Sequence, residues 1–584
     1  MTARFSWVVL GALLAALLVA AASFDRRSWP ALVGDEATYL MQAESLAFDF
    51  DLRYERRDFD RFRQHWGRLP EGLILQSPDR GAHFTFGKPA SYSLYLAPFV
   101  RISPTRGPSV ANALLLAAAA LCSAFTLRHT VGRAAPLWVA VFVFASVAFT
   151  QVFWAHMDLF LMCTGALALA LANLPEAQTA GALPEIWGEP APAGRRPWRW
   201  AATGAMLAVA AAARPQYGAL FLPGLLAVPK SERRSGWMAL GLGAATVGLV
   251  AVAGSYFWNG SWTPYGGERL GFYSYTGFPL VDLKESWPSL VASRGRGSWI
   301  APGHLLPYGF DAHLSAYNAL YLLLGRNVGL LPYYLPLVLG LLAYRPGRGR
   351  WALPLAALAA TAVFVAIRPF NFWGGGAAVA NRYFLPLYPA FWFLPGKPRS
   401  PLLPTLVALA AAPFLYPSWL EPRAFPTTAA GGYHHVSAQA RAWLPYETTQ
   451  DHLKPSGQED VAHNGLWVKP LGPEVRVEDG GRSFRLDRAT RGELLVGSPS
   501  ELAGLTLEIL PGGPAEATLN GRAPTRRTLE PSGSVILDFP LGRPIAVHGM
   551  WWDGPEVRLY QLKLESPAAG KPLAFRFRPG SGGG

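Results

Sequence analysis

Apolar runs of roughly 15–20 residues recur through the first 420 residues of the chain, separated by short polar connections. A bilayer offers no water to backbone N–H and C=O groups, so each run that crosses one has to satisfy them internally, as a helix. The composition agrees: 51% of residues are hydrophobic, only 15% are charged, and the mean hydropathy is +0.18. A soluble domain carries about a quarter charged residues. Spans are read at 6–24, 108–127, 134–152, 158–174, 200–213, 216–229, 237–257, 328–343, 351–367, 383–396 and 401–417, about eleven in all. The expected class is a polytopic α-helical membrane protein. The first span has a second reading as a signal peptide ending near Ala21-Ala22-Ser23, although its apolar run is long for one.

The formal net charge of +14 lies largely in short clusters between apolar runs, where it sets topology, so nucleic acid is not an expected partner. Arg128 with Arg133, Arg195-Arg196 with Arg199, Lys230 with Arg233-Arg234, Arg345 with Arg348 and Arg350, and Lys397 with Arg399 fall on one side, with Arg4. By the positive-inside rule that side is cytoplasmic. Arg26-Arg27 and the arginines of 53–80 lie opposite, in a long segment where the rule is weak. The outer face then receives a first loop (25–107), connections at 153–158 and 368–382, a long loop at about 258–327, and everything after residue 420. A multi-pass protein of the cytoplasmic (inner) membrane is expected, with its C-terminal domain extracytoplasmic.

The division that follows is a membrane domain over 1–419, a β-rich domain over 420–578 and a disordered tail over 579–584. GLTLEILP, SVILDFP and EVRLYQLKLE alternate apolar with polar residues, and Asn520-Gly521 reads as a hairpin turn, which together suggest an antiparallel β-sandwich. Cys122 and Cys163 both fall within apolar runs, so no disulfide framework is expected. H-E-x-x-H, the P-loop spacing and internal repeats are absent.

Candidate chemistry starts at Asp35-Glu36 in VGDEATYL, just beyond the first span. Two readings stand: interfacial acids capping a helix that begins near Ala37, or a reacting pair at the membrane surface. Asp158 opens the fourth span in QVFWAHMDLFLMCTG, as a functional acid at a helix mouth or as one stabilised by the helix dipole. His156 is either its hydrogen-bond partner or a packing residue. Lys88 in FGKPASYSLYLAPF precedes a helix lying in the interface, and either snorkels to headgroups or grips a phosphate. Arg214 in AARPQYG and Arg382 in NFWGGGAAVANRYFLPLYP add cations on separate elements, which together suit an anionic, lipid-linked substrate. Trp373-Gly374-Gly375-Gly376 permits close backbone approach or simply turns the chain.

These pieces resemble the GT-C superfamily of polyprenyl-phosphate-dependent membrane glycosyltransferases, and within it the branch of protein O-mannosyltransferases and the lipid A aminoarabinose transferase. The resemblance rests on GDEATYL after the first span, GKPASYSLYLAPF, the Asp158 segment, GRNVGLLPYYLPLVL and VANRYFLPLYPAFWFL, in that order over about residues 1–400. It implies a GT-C fold with an outer C-terminal module, and inverting transfer of a sugar from a polyprenyl-phosphate donor. The acceptor is a hydroxyl on a lipid, glycan or protein of the cell envelope. The family's first-loop Asp falls on Asp35 as base, its second outer acid on Asp158, and its phosphate-binding Lys on Lys88. Arg214 and Arg382 are added as phosphate ligands from topology. Glu36, Tyr39, His156 and Trp373 are taken as supporting or substrate-binding residues. Partial desolvation is expected to raise the pKa of Asp35 toward that of a useful base.

No cofactor is expected; a divalent metal on Asp35, Glu36 and Asp158 is the alternative. The charged stretch FDFDLRYERRDFDRFRQHWGR has no counterpart in the family pattern and is read as a solvated helix face rather than an acceptor-recognition insert. Competing functions are a polysaccharide ligase or polymerase with a lipid-diphosphate donor, a transporter, and an anchor for the outer domain. Transporters place ionisable residues near the midplane on broken helices, often within repeats, whereas the acids here fall at helix mouths.

Overall fold

A computed structural model describes residues 3–28, 32, 35–70, 73–79, 81–174, 197–262, 269–272, 278, 312–344, 349–374, 379–395, 402–424 and 436–450. In the C-terminal region it describes most of 461–578. The tail, most of the 258–327 loop, Gly375-Gly376, and the cations Arg195, Arg196, Arg345, Arg348, Lys397 and Arg399 lie outside the described residues.

Among the described residues, ten α-helices build the first half: α1 Ala3–Ala22, α2 Glu36–Phe48, α3 Arg56–Trp66, α4 Ser91–Ile102, α5 Gly107–Val131, α6 Ala135–Phe144, α7 Met157–Ala172, α8 Pro197–Ala213, α9 Phe221–Ala227 and α10 Arg233–Asn259. Among the described residues, four apolar stretches are long enough to cross a bilayer: Arg4–Ala22, Gly107–Phe144, Lys230–Asn259 and Leu402–Leu420. Met157–Ala172, Leu314–Leu324 and Ala352–Ile367 are shorter apolar helices. Among the described residues the count of about eleven spans is not confirmed, and several of the apolar runs are broken.

Proline accounts for the breaks in 216–229, 328–343 and 383–396, while that in 134–152 falls at Ala145-Ser146, where Ser146 Oγ donates to the Phe142 carbonyl and accepts the Ala148 amide. The run at 216–229 breaks into a 3₁₀ turn at Pro215–Leu220 and α9, and the run at 328–343 into Leu330–Tyr333 and Pro336–Leu342. The run at 383–396 becomes Leu385–Leu387 followed by Pro389–Trp392, and that at 134–152 ends its α-helix at Phe144 and continues as 3₁₀. Proline supplies no N–H and clashes with the preceding turn. Broken backbone at membrane depth is tolerated only inside protein, and Leu385, Leu387, Tyr388, Trp392 and Phe149 are indeed buried. By contrast α10 exposes Leu242, Leu249, Val250 and Phe257, an apolar face suited to lipid. Its other face meets α8 so closely that a Cβ on Gly204 would strike the Leu240 backbone and one on Gly243 the Ala201 backbone.

The first loop is an ordered layer. In α3, Phe59, Phe62 and Trp66 recur at helical spacing and are buried, while the arginines face outward. They share a core with Leu40 and Met41 of α2 and with the strands β1 Leu73–Gln76 and β2 Thr85–Phe86. The third strand of that sheet, β3 Arg269–Phe272, arrives from the distant 258–327 loop and pairs antiparallel with β1. On its other side α2 packs through Tyr39, Ala43 and Ala47 into the main helical core. Being clamped between two cores is what fixes the position of its N-terminus.

The region 461–578 holds two six-stranded sheets, and all its pairings are antiparallel. Leu494, Val496 and Leu562 of one sheet share a core with Leu507, Phe575 and Phe577 of the other, which makes them a sandwich. Asn520 and Gly521 adopt φ of 50° and 77°, the two-residue turn their sequence demands. The strands on either side nevertheless separate: Glu516–Leu519 pairs with Val557–Glu565, and Arg526–Leu529 with Val535–Phe539 of the other sheet. The turn therefore links two sheets and makes no extended hairpin.

Candidate active site

Asp35 occupies the N-cap position of α2 but makes no cap hydrogen bond with its side chain. The helix begins at Glu36, one residue ahead of the expected start, and the Asp35 carboxylate turns instead to Lys88, whose Nζ donates to Oδ2. Lys88 lies three residues before α4, with its ammonium near the Tyr39 ring, 6.0 Å from the centroid. His156 Nε2 stands 3.6 Å from the same Asp35 oxygen.

His156 is the N-cap residue of α7, and Asp158 lies in that helix's first turn, where the dipole favours a carboxylate. His156 Nδ1 is 2.8 Å from Asp158 Oδ2, and its Nε2 is 2.7 Å from Arg382 Nη1. A guanidinium only donates, so Nε2 accepts and the ring proton lies on Nδ1, facing Asp158; this tautomer is assigned from the partners. Asp158 Oδ1 accepts from Arg214, which follows the C-terminal end of α8. Arg382 Nη1 is 3.9 Å from the other Asp158 oxygen.

The cations are held on aromatic faces and carbonyls. Arg214 lies 4.3 Å over the Tyr383 ring and donates to Tyr217 Oη at 3.3 Å. Arg382 lies 5.2 Å from the Trp154 centroid, and its Nε and Nη2 both reach the Gly374 carbonyl. Gly374 has φ of 102°, and a Cβ there would run into the Arg382 side chain, so glycine is required on both counts.

Six side chains from five separate parts of the chain thus form one buried row, Lys88, Asp35, His156, Asp158 and Arg214, with Arg382 against its centre. Three permanent cations surround two carboxylates, an excess of positive charge that suits an anionic ligand. Burial alone would raise the Asp35 pKa, but Lys88 above all, with Arg382, outweighs it and holds the carboxyl well below the usual range. The expected rise toward a useful base is therefore reversed in the unliganded site.

Glu36 points elsewhere. Its Oε1 and Oε2 receive Arg26 Nε and Nη2 at 3.0 and 2.6 Å, and Oε1 also accepts the Ala155 amide at 3.2 Å. It ties the end of α1 to the segment leading into α7 and stays out of the row. Tyr39 bonds the Met157 sulfur at 2.7 Å and packs edge-on to His156, while Trp373 is buried and lends its carbonyl to the Arg382 amide at 3.0 Å. Asp35, Glu36 and Asp158 are each matched to a cation, and among the described residues no group of three His, Cys, Asp or Glu side chains is placed to hold a metal. Arg26, Trp154, Tyr217 and Tyr383 carry no mark in the sequence beyond an aromatic or basic residue close to a flagged one.

No family model and no curated protein matches the chain. Among solved structures it is similar to ArnT from Cupriavidus metallidurans bound to undecaprenyl phosphate, at 17% sequence identity and a TM-score of 0.35. The match covers 71% of this chain and 62% of that one, so the chain spans less than two thirds of its length. A likeness of that extent fixes neither fold nor chemistry.

Proposed function

We propose that this protein is a membrane glycosyltransferase that moves a sugar, with inversion, from a polyprenyl-phosphate donor to an acceptor hydroxyl at the outer face of the cytoplasmic membrane. The observation that carries the reading is the buried row in which Lys88, Arg214 and Arg382 converge on Asp35 and Asp158 at helix ends. A transporter would place its ionisable groups near the midplane of repeated, broken helices.

The side chains of the row pair with one another. A donor phosphodiester draws Lys88, and in part Arg382, onto its oxygens by charge-assisted hydrogen bonds. Asp35 then loses the cations that hold its pKa down while remaining buried, and its proton affinity rises. The acceptor O–H gives its proton to Asp35 as its oxygen attacks the anomeric carbon. The bond from that carbon to the phosphate oxygen breaks with its electron pair, and the polyprenyl phosphate leaves with one more negative charge. Lys88, Arg214 and Arg382 stabilise that charge, which makes a general acid unnecessary. Asp158 orients His156 and Arg214 and does not meet the acceptor.

The test is sugar transfer by the purified full chain in lipid vesicles loaded with a polyprenyl-phosphate sugar. Asp35→Asn is expected to lower transfer by about 10²–10⁴-fold, the span of general-base catalysis, with expression and insertion unchanged. Full activity in that variant overturns the assignment.

A further inference from the structure

Arg382 is aimed by a segment far from it in sequence. The stretch Glu447–Gln450 connects the last apolar helix to the β-sandwich, yet all four residues are buried. Thr449 Oγ1 and Gln450 Nε2 donate to Asn318 Oδ1 at 2.7 and 3.2 Å, and Gln450 Nε2 also reaches the Pro369 carbonyl at 3.3 Å. Glu447 Oε1 accepts the backbone amides of Asn327 and Val328 at 2.5 and 2.9 Å, and its Oε2 accepts Asn327 Nδ2 at 2.8 Å. One buried carboxylate thus organises the turn at 326–328.

That turn leads directly to the site. The Asn327 carbonyl accepts the Ala380 amide at 2.6 Å, and Ala380 has φ of 71°, a left-handed conformation that a residue with a Cβ adopts only when its surroundings impose it. Two residues on, the Arg382 amide bonds the Trp373 carbonyl, and the guanidinium takes the Gly374 carbonyl and His156. From the sandwich side, Arg326 forms a bidentate pair with Glu493 at 2.7 and 3.1 Å, and its amide bonds the Pro445 carbonyl at 3.0 Å. Both stretches that hold Arg382, 369–374 and 380–382, are therefore pinned by residues 447–450.

We propose that Glu447 is a positioning residue for the sugar-transfer site: through Asn327 it imposes the left-handed turn at Ala380 and so sets where Arg382 presents its guanidinium to the donor phosphate. The inference rests on the reading of the site as a phosphate site, but its structural half is measured separately.

Hydrogen exchange by mass spectrometry on the full chain in lipid nanodiscs reads the turn, and binding of a C55 polyprenyl phosphate reads the outcome. In Glu447→Ala, exchange across 379–383 is expected to rise and polyprenyl phosphate to bind about tenfold more weakly, with far smaller changes in Glu447→Gln, which keeps an acceptor for the two amides. Adding Ala380→Gly to Glu447→Ala is expected to recover most of the binding, because glycine adopts the left-handed turn unaided. A residue needed only for packing gives no such rescue. Glu447→Asp, with its shorter reach, is expected to fall between and stands in should the alanine variant fail to fold. Wild-type exchange across 379–383 in the alanine and aspartate variants overturns the proposal, as does failure of the glycine rescue. If the wild-type chain binds no polyprenyl phosphate, the reading of the site falls, while the exchange result still decides whether Glu447 governs the turn.

Discussion

Two adjacent acids, Asp35 and Glu36, have been given separate work by their partners. Their position beyond the first apolar run was legible, because an acid pair stands out there. Which of them faces the row was not legible, because that depends on Arg26, which sits among loop arginines with nothing to distinguish it. Glu36 is fully buried on Arg26, so removing it leaves a buried guanidinium without its counter-ion. Glu36→Ala is expected to cost about 3–5 kcal/mol of stability, the usual cost of breaking a buried pair, and a thermal melt of the purified protein checks it. Asp35→Asn, which keeps an acceptor for the less deeply buried Lys88, is expected to cost clearly less. The sequence misleads on the pKa of Asp35 for a related reason: desolvation can be anticipated from its place, but the neighbouring cations Lys88 and Arg382 come from segments up to several hundred residues away.

Single elements were legible wherever one periodicity governed them. The charged stretch around α3 reads in sequence as a solvated helix face; it is a helix, but only one side is solvated, and Phe59, Phe62 and Trp66 recur at helical spacing toward a core. The same helix also buries a carboxyl. Asp58 Oδ2 accepts the Glu55 amide at 2.8 Å as part of a capping box, and burial pushes its pKa from 3.8 up to about 7. Between about pH 4 and pH 7 the folded loop then keeps a proton that the unfolded loop releases, so its stability falls as pH rises through that window. The hydrogen-exchange protection factor across 51–66, with the intrinsic pH dependence of amide exchange divided out, is expected to be larger at pH 5 than at pH 8, and Asp58→Asn to remove most of that difference. The broken spans were less legible, because hydropathy averages over a window and passes over the prolines that stop most of them. At the start of the broken run 383–396, the Tyr383 ring meets Arg214 at the end of α8 and Arg382 beside it.

At the scale of the whole molecule, the alternation of apolar and polar residues after 460 announced two-faced strands, but no local signal tells which strands pair. The strand β3 joins β1 across almost 200 intervening residues, and the Asn520-Gly521 turn, closed as a hairpin turn by the Leu519–Arg522 pair, leads from one sheet to the other. The docking of the 447–450 segment against the helical region was equally hidden, since it rests on polar side chains in LPYETTQ that resemble any loop. Convergence of distant segments is likewise the central claim for the site, where Asp35 and an incoming phosphate compete for Lys88. Binding of polyprenyl phosphate to the full chain in nanodiscs measures that competition directly. Lys88→Ala is expected to bind about 10–100-fold more weakly, the loss of a charged hydrogen bond, whereas Asp35→Asn is expected to bind more tightly than wild type because the internal competitor is gone. Unchanged binding in Lys88→Ala together with weakened binding in Asp35→Asn would contradict the account.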